Sequence, residues 1–451
     1  MDKPNIILIN CDDLGYGDLG CYGSEINRTP AIDRMAKAGM KLTDFYMASP
    51  VCSPSRGGML TGCYPPRIGF GDFDGEWVLF PGQGVGLSPQ ETTVADLLKE
   101  NGYRTKIVGK WHCGDQPEFL PARHGFEEYF GLPYSNDMGR QIGRENNPPL
   151  PLIHNDEVVQ EQPEQRSLTE RYVEQCTDFI HQHREEPFFL YLAHMHVHLP
   201  LYAPERFVKN SINGDYGACV ECIDWAADCL LHQLEREGLT ERTLVIFTSD
   251  NGGRGTHGGS NGPLRGNKGT TWEGGQRVPC ILYWPGHVPG GTVCHHILSS
   301  LDFLPTFASL CKTKPREGIA IDGIDFSPLL TGKTETASRN TFFYYFMNDL
   351  EAVREGKWKL HVRKNGEQVQ LLYNLEEDIK EANNCYEEHP DVVTRLEMLL
   401  EDCRKELGDA ASGVAGSGVR PVGRVDHPKP LTEYQEDHPY IIAMYDSADV
   451  G

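Results

Sequence analysis

The segment NIILINCDD, residues 5–13, joins a short apolar run to two adjacent acidic residues, Asp12 and Asp13. An apolar run of this length is typical of a strand that is buried on both faces, as the strands of parallel sheets are. In such sheets the chemistry lies at the carboxyl ends of the strands. The segment therefore predicts a strand of an α/β fold, with two carboxylates at the functional edge of the sheet.

Helical patterns separate further strand patterns along the chain. Residues 88–102 predict the clearest helix, with Ser88 and Glu91 as a capping box and Pro89 in the first turn. Three other helices are predicted at residues 29–39, 166–186 and 215–239. This alternation predicts an α/β fold in which helices sandwich a large, mostly parallel mixed sheet.

Polar residues end each of the strongest strand patterns. They are Asp12 and Asp13 in residues 5–13, Lys110 and His112 in residues 103–112, His194, His196 and His198 in residues 187–200, and Asp250 and Asn251 in residues 243–253. Because the carboxyl ends of parallel strands meet at one edge of a sheet, we expect these side chains to contribute to one site.

The pattern changes at about residue 340. Short alternating strands follow, with KNGE at residues 364–367 as a hairpin signal and an acidic amphipathic helix at residues 389–407. We therefore expect a catalytic domain at residues 1–338 and a small C-terminal subdomain at residues 339–408, built from an antiparallel sheet and a helix.

A tail, residues 409–451, completes the sequence. It begins as a Gly/Ser/Ala-rich segment typical of a flexible linker and ends in HPYIIAMY, residues 438–445. We expect this apolar end to pack on the body of the protein or on a partner, which makes it a candidate contact in an oligomer.

The composition narrows the class of partner. The formal net charge of −23 over 451 residues disfavours nonspecific binding to nucleic acid or to an anionic membrane. An enzyme of anionic substrates would therefore need cations concentrated in its site. The 14 cysteines are scattered, which predicts reduced thiols rather than a disulfide scaffold.

The N-terminal sequence bears on localisation. No apolar run approaches the roughly 18 residues of a membrane span, and MDKPNIILIN lacks the basic and apolar regions of a signal peptide. This pattern predicts a cytoplasmic enzyme, or a secreted or periplasmic one if a signal peptide has been removed.

The acidic and amide side chains at two strand ends predict a metal site. The oxygens of Asp12, Asp13, Asp250 and Asn251 suit a hard cation, calcium or alternatively magnesium, rather than zinc. Each pair alone could be an ordinary turn or helix cap. Two such pairs, each ending an apolar strand beside glycines, favour a shared metal.

Three histidines alternate in the sequence, and an extended strand would place them on one face, as in a three-histidine zinc site. No fourth ligand is evident, and Pro200 soon ends the strand. A single catalytic histidine among His194, His196 and His198 is therefore favoured over zinc.

Two lysines could meet an anion. Lys110 and His112 suit the stabilisation and protonation of a developing negative charge, although an ordinary surface turn would have the same composition. Lys268 lies among the glycines of residues 261–275, where a backbone can approach an anionic group closely. A lysine in a glycine-rich loop is a weak signal by itself.

The segment SPVCSPSRGGMLTG, residues 49–62, decides between these possibilities. Its cysteine, Cys52, could be core filler, half of a disulfide, a nucleophile or the precursor of a modified residue. The segment resembles the C-x-P-S-R…LTG signature of the type I sulfatases in the alkaline-phosphatase superfamily. In that family the cysteine is oxidised to Cα-formylglycine by a separate formylglycine-generating or maturase enzyme.

Other motifs extend the resemblance over nearly the whole chain, from DDLGYGDLG to LYNLEED. The motifs GKWH, GLPYSND, SDNGG, GGSNGP and GTTWEGG resemble most closely the branch of arylsulfatase A and N-acetylgalactosamine-6-sulfatase. The resemblance implies the alkaline-phosphatase-like fold and a sulfatase that hydrolyses the sulfate monoesters of carbohydrates, such as 6-sulfated hexosamine or galactose, or of aryl alcohols.

The resemblance also implies residue roles. The calcium ligands are Asp12, Asp13, Asp250 and Asn251, and the catalytic residues are Cys52, Arg56, Lys110, His112, His198 and Lys268. Ser135 matches a serine beside the sulfate, where Lys110 and Lys268 grip the group. His194 and His196 have no secure counterpart, and His196 is taken as a candidate for substrate contact.

The family chemistry explains why a cysteine is not used directly. A thiol attacking sulfur would give a stable thiosulfate ester, whereas a hydrated aldehyde offers one hydroxyl to attack and a second to expel sulfate. In this scheme His112 deprotonates the second hydroxyl, and a histidine or Lys268 protonates the departing alcohol.

Two other functions remain open from the sequence. One is a phosphate or phosphonate monoester hydrolase on the same scaffold. The other, of a different class, is an unmodified homologue that only binds sulfated glycans. Residues 70–88, which include Trp77, could contact sugar or could form an ordinary loop.

Overall fold

The computed structural model describes residues 3–440. Its strands are β1 Asn5–Cys11, β2 Met40–Leu42, β3 Phe45–Tyr46, β4 Val85–Gly86, β5 Arg104–Gly109, β6 Glu128–Gly131, β7 Pro151–His154, β8 Glu157–Glu161, β9 Phe188–Ala193, β10 Thr243–Ser249, β11 Cys280–Tyr283, β12 Thr292–Cys294, β13 Leu298–Ser299, β14 Thr341–Phe346, β15 Asp349–Glu355, β16 Trp358–Lys364, β17 Glu367–Asn374 and β18 Gly423–Arg424.

The α-helices alternate with the strands of the first two thirds of the chain. They are α1 Pro30–Ala38, α2 Cys52–Thr61, α3 Val94–Glu100, α4 Leu168–Gln182, α5 Glu205–Val208, α6 Gly214–Arg236, α7 Glu273–Gln276, α8 Phe303–Leu310, α9 Ser327–Leu330 and α10 Pro390–Leu407.

The main sheet has ten strands in the order β12-β2-β11-β10-β1-β9-β5-β6-β7-β8. The five central strands, from β10 to β6, are parallel, whereas β11, β7 and β8 pair antiparallel with their neighbours. The predicted large mixed sheet with a parallel centre is confirmed, and β1 lies in its middle.

The register of the central strands brings their carboxyl ends together. Cys11 of β1 is opposite Ser249 of β10, and Ala193 of β9 is opposite Gly109 of β5. The polar residues that follow all four strands therefore emerge at the same edge of the sheet, as the sequence predicts.

Helices cover both faces of the sheet. Ile6 and Leu8 of β1 pack in one apolar layer with side chains of α3 and α8, whereas Ile7 and Ile9 pack in the opposite layer with side chains of α1, α4 and α6. Because both faces of β1 are covered, its sequence is continuously apolar rather than alternating.

The second sheet is antiparallel, in the order β14-β15-β16-β17, and α10 packs on it. The predicted hairpin joins β16 to β17 through Asn365 and Gly366, which both have positive φ, as a type I′ turn requires. Tyr46 and Tyr64 share the apolar cluster of this subdomain. The division of the chain at residue 338 stays a prediction.

The helix predicted at residues 88–102 begins later than expected. Its capping box is Thr93 with Asp96, whose backbone N–H groups donate to each other's side chains at 3.1 and 3.0 Å. The expected capping residue Glu91 instead accepts two hydrogen bonds from Arg420 of the tail, at 2.7 and 2.8 Å. Ser88 with Glu91 and Thr93 with Asp96 both have the spacing of a capping box. In the structure the carboxylate of Glu91 pairs with Arg420, and Thr93 with Asp96 forms the box.

The start of the tail is not a flexible linker. Ser417 and Gly418 donate to the carbonyls of Lys405 and Glu406 at 2.9 and 2.8 Å, and β18 pairs with β4 of the main body. Most of HPYIIAMY, residues 441–445, lies outside the described residues.

Among residues 3–440, no helix is long and apolar enough to cross a membrane. All 14 cysteines fall within this range, and all are unpaired. The reduced state of these thiols stays a prediction.

Gly109 ends β5 in a conformation that places Lys110 at the site. Its φ is +111°, and a Cβ there would overlap the carbonyl oxygen of Ala193, which accepts the Lys110 N–H at 2.8 Å. We expect Gly109→Ala to lower the free energy of unfolding by about 3 kcal/mol, from backbone strain and overpacking. Gly102→Ala is the control, because φ is +82° there but no atom lies within 4 Å of the Cβ position.

Urea denaturation measures both variants. Gly102→Ala should cost about 1 kcal/mol, because only the positive φ penalises it. Equal losses in the two variants would contradict the steric role of Gly109.

Candidate active site

Cys52 is the first residue of α2 and is buried at the carboxyl edge of the sheet. Its Sγ lies 3.4 Å from Asp12 Oδ1 and 3.9 Å from Asp13 Oδ1. All ten residues of α2 are buried, and Gly57 lets the helix pack against Phe70, which a Cβ there would approach to 2.5 Å. The helix therefore fixes Cys52 against the two acids that follow β1.

Arg56, one turn along α2, ties this helix to the strand ends. Its Nε donates to Asp250 Oδ2 at 2.9 Å, and its Nη1 donates to the carbonyl of Lys110 at 2.7 Å. The guanidinium is fully buried, so its charge requires these partners. Arg56 thus holds the ends of β10 and β5 in register with Cys52.

The two predicted lysines pair with the two acids after β1. Lys110 Nζ lies 2.5 Å from Asp12 Oδ2, and Lys268 Nζ lies 2.9 Å from Asp13 Oδ2. With Arg56 and Asp250, the site holds three acids and three cations, so their formal charges cancel. All are buried except Lys268, which is partly buried.

These pairs shift the pKa values of the acids in different directions. Burial alone would raise the pKa of Asp12, but Lys110, His198 and Arg56 hold it well below its usual range. The pKa of Asp250 is raised to about 6, first by burial and then by the charge of Asp12. The carboxylate of Asp12 is therefore held in its ionised form more firmly than that of Asp250.

The oxygen atoms of this site fit a hard divalent cation. Ligand atoms of Asp12, Asp13, Cys52 and His198 all lie within 4.8 Å of one another. Asn251 donates from Nδ2 to Asp13 Oδ1 at 2.8 Å, while its own Oδ1 is buried without a hydrogen-bond partner. Carboxylate oxygens beside an unpartnered amide oxygen are the ligands that calcium and magnesium take.

His112 presents one basic nitrogen to the site. Its Nε2 lies 2.9 Å from the carbonyl of Leu79, which can only accept, so Nε2 carries the hydrogen and Nδ1 the lone pair. Nδ1 is buried without a partner. Burial, followed by the charge of Lys110, lowers the pKa of His112 well below its usual value, so the ring is neutral.

His198 is the one histidine of the three that reaches the acids. Its Nε2 lies 3.9 Å from Asp13 Oδ2, and its Nδ1 donates to the carbonyl of Leu199 at 2.6 Å. The extended strand ends at Ala193, so the three rings do not share one face. His194 accepts from the His196 N–H at 3.0 Å and contacts Thr169, which indicates a packing role.

A small pocket of about 90 Å³ opens above Cys52. Five predicted site residues line it: Cys52, His112, Ser135, His198 and Lys268. Ser135 Oγ is buried there without a hydrogen-bond partner. The lining residues of the described chain do not include Lys110 or His196, so substrate contact by these two stays a prediction.

Three further polar lining residues escaped the site prediction: Asp137, Arg144 and Arg254. Trp77, which belongs to the loop named as a possible sugar contact, also lines the pocket. Asp137 Oδ1 lies 3.9 Å from His198 Nδ1. The sequence offered one signal for each of two residues: Asp137 ends the motif PYSND, and Arg254 directly follows the motif SDNGG. Neither position has a sequence pattern that would distinguish a residue of the pocket from an ordinary loop residue.

The thiol of Cys52 is held in its neutral form. Burial and then the charge of Asp12 raise its pKa well above the usual value, although Lys110 and Lys268 oppose this. A helix N-terminus and nearby cations normally activate a thiol, but here the acids and burial prevail. Cys52 therefore lacks the thiolate that a cysteine nucleophile needs.

Comparison with known proteins agrees with this site. Residues 4–313 match the Sulfatase family model, and residues 267–406 match the model described as N-sulphoglucosamine sulphohydrolase, C-terminal. Arylsulfatase A of Homo sapiens is 41% identical over 388 residues, covering 80% of this chain and 75% of the relative. N-acetylgalactosamine-6-sulfatase of Rattus norvegicus is 41% identical, covering 80% and 71%.

A solved structure extends the similarity to the fold. The crystal structure of Ps i-CgsB in complex with k-i-k-neocarrahexaose superposes with a TM-score of 0.80 at 33% identity, covering 89% of this chain and 92% of that chain. The fold and the site define a hydrolase of the alkaline-phosphatase-like class.

The chain belongs to the sulfatase family. It is a sulfuric ester hydrolase, and the family implies a metal and a formylglycine in general. The relatives do not support the expectation of a cytoplasmic enzyme.

Proposed function

We propose that this sulfatase hydrolyses an O-sulfated saccharide at Cys52, with Cys52 converted to Cα-formylglycine and calcium held by Asp12, Asp13, Asp250 and Asn251. The observation that carries the proposal is the position of Cys52. Its Sγ lies 3.4 Å from Asp12, at the floor of the pocket, in surroundings that suppress the thiolate.

The residues present fit both groups. The buried, unpartnered Asn251 Oδ1 and the acids after β1 would hold the cation, which would supply positive charge beside the sulfate oxygens. The formylglycine, made by a separate maturase, would supply a hydroxyl nucleophile where the thiol now lies. Since the fixed charges cancel, a divalent cation would leave the site positive for an anionic ester.

The chain's own side chains bind and orient the ester. Lys268 lines the pocket, and Asp13 raises its pKa against the effect of burial, so its Nζ stays charged and can donate to a sulfate oxygen or to the departing alcohol. Ser135 Oγ, which has no hydrogen-bond partner among residues 3–440, offers another hydrogen bond. Arg56 positions the site by donating hydrogen bonds to Asp250 and to the carbonyl of Lys110.

Two histidines would handle protons. His112 keeps an unpartnered lone pair on Nδ1 and is neutral, which suits a base. Burial, followed by the charge of Lys268, lowers the pKa of His198, which leaves its Nε2 without a proton near neutral pH. This favours Lys268 over His198 as the donor to the leaving oxygen.

The substrate class rests on the relatives. One acts on an N-acetylgalactosamine-6-sulfate and one solved neighbour holds k-i-k-neocarrahexaose, so we place a sulfated hexosamine or galactose in this pocket. The pocket of about 90 Å³ suits the sulfate group itself, with the sugar at the mouth beside Trp77.

Sulfate release from defined sulfated mono- and disaccharides tests the proposal. Release should exceed the rate on nitrophenyl phosphonate esters, and mass spectrometry should find the Cys52 peptide lighter by about 18 Da, the change for thiol to aldehyde. Faster phosphonate hydrolysis, or an unmodified Cys52 in fully active protein, would overturn it.

Metal removal should stop turnover reversibly. Dialysis against EDTA should abolish sulfate release and lower the Tm, because a ligand that binds the native state stabilises it, and added calcium should restore both. Asn251→Ala should need at least about tenfold more calcium for half-maximal activity, since a ligand is lost. The exposed Asn210→Ala is the control and should keep the wild-type requirement.

A further inference from the structure

Arg254 lies at the catalytic pocket without a partner for its charge. It lines the same pocket as Cys52 and Lys268 and is partly exposed. Among residues 3–440, no side-chain hydrogen bond or ion pair engages its guanidinium. The other two cations of the pocket wall are committed: Lys268 to Asp13 at 2.9 Å and Arg144 to Asp137 at 3.4 Å.

The backbone beside Arg254 is fixed. Asn261 accepts from the Gly253 N–H at 2.8 Å and donates to the Gly253 carbonyl at 2.8 Å. The same carbonyl accepts the Lys268 N–H at 3.2 Å. Arg254 is therefore anchored next to the lysine of the pocket while its side chain is free to meet a ligand.

The surroundings of Arg254 differ from those of the buried arginines. The chain carries a net charge of −23, and most of its buried arginines are paired with acids, such as Arg56 with Asp250 and Arg339 with Asp302. An unpaired arginine at the rim of an anion-binding pocket adds a positive field where the rest of the surface is acidic. Arg offers a planar fork that matches carboxylate and sulfate oxygens.

We propose that Arg254 binds a second anionic group of the substrate, a sulfate or carboxylate on the saccharide that lies outside the scissile sulfate. The inference rests on the proposed function and narrows its substrate class from sulfated saccharides to those with at least two negative charges. Arg254 acts as a specificity residue, and the fixed backbone supplies its preorganisation.

Paired substrates test this inference. We expect Arg254→Gln to lower the ratio of kcat/KM for a disulfated disaccharide to that for its monosulfated analogue about tenfold, mainly through KM, as for a contact made equally in the ground and transition states. A monosulfated disaccharide with a uronate distinguishes carboxylate from sulfate recognition. Added salt should reduce the same ratio in the wild type.

The control is Arg242→Gln. Arg242 is also exposed, but it precedes β10 and so lies at the opposite end of that strand from the site. It should leave the ratio unchanged. An unchanged ratio in Arg254→Gln would overturn the inference, as would an equal loss in Arg242→Gln.

A binding measurement without turnover tests the role of Arg254 separately from the proposed sulfatase reaction. In a Cys52→Ala background, calorimetry should find weaker binding of the disulfated disaccharide when Arg254 is also changed to Gln. If no sulfate ester is hydrolysed by the wild type, the proposed function fails, while this binding difference still supports or overturns the role of Arg254.

Discussion

Cys52→Ala should reduce sulfate release to background, a loss of at least about 10⁴-fold in kcat, which is the scale for removing a covalent nucleophile. The physical reason is that the attacking group is expected at position 52, beside the acids after β1, and alanine leaves no reactive atom there. Lys110, Lys268 and Arg56 are charged and paired with acids, so they lack a free lone pair. The measurement is release of sulfate from the best saccharide of the screen.

Cys63→Ala is the matched control. Cys63 is also buried and follows α2, but it does not line the pocket. Its loss should change the free energy of unfolding without lowering kcat more than a few fold. Substantial turnover by folded Cys52→Ala, checked by its Tm and circular dichroism, would exclude the proposed nucleophile.

Lys359→Met should have the largest effect on stability, about 3–5 kcal/mol, because it removes the lysine that two buried carboxylates share. Lys359 Nζ is fully buried, 2.9 Å from Glu273 Oε1 and 3.0 Å from Glu381 Oε1, and it donates to the Thr271 carbonyl at 2.9 Å. Burial would raise the pKa of Glu273, but Lys359, with Arg277 and Arg354, holds it well below the usual range.

Urea denaturation of both variants checks this prediction. Lys405→Met is the control, because Lys405 lies on the surface of α10 and its ion pair is with the exposed Asp402. It should change stability by less than about 0.5 kcal/mol. Adding Glu273→Gln to Lys359→Met should recover part of the loss, since one buried charge is removed with its partner. Equal effects of the two lysine variants would contradict the assignment.

The position of Lys359 links the small subdomain to the catalytic loop. It belongs to β16, yet it bonds to Thr271, three residues after Lys268. Lys364 Nζ also donates to Thr271 Oγ1, at 2.5 Å. Loss of Lys359 should therefore affect catalysis as well as stability, because the loop that carries Lys268 is held from the second sheet.

Much of the site could be predicted from the sequence because its residues follow buried strands. An apolar run such as NIILIN is typical of a covered strand, and a parallel arrangement brings the ends of such strands to one edge. The polar residues after these strands therefore lie close together, as expected: Asp12 and Asp13, Lys110, and Asp250 with Asn251. The motif around Cys52, residues 49–62, then indicated the protein family.

Other features could not be read from the local sequence. Ser88-x-x-Glu91 and Thr93-x-x-Asp96 are equivalent capping patterns, and a distant ion pair with Arg420 decided between them. The three alternating histidines look equivalent in the sequence. The strand ends at Ala193, and the path of the chain after it brings His198 to Asp13. Local pattern carries no information on such contacts.

The sequence by itself determined the fold class, the edge of the sheet that carries the chemistry, and the residue types of the site, because apolar periodicity and strand-end polarity are local properties of the chain. Only the tertiary structure decided which cations are paired and which are free. Lys359 of β16 is paired with Glu273 of α7 and with Glu381, whereas Arg254 has no acid partner among the described residues. Charge pairing depends on distances between segments far apart in sequence, and folding alone sets those distances.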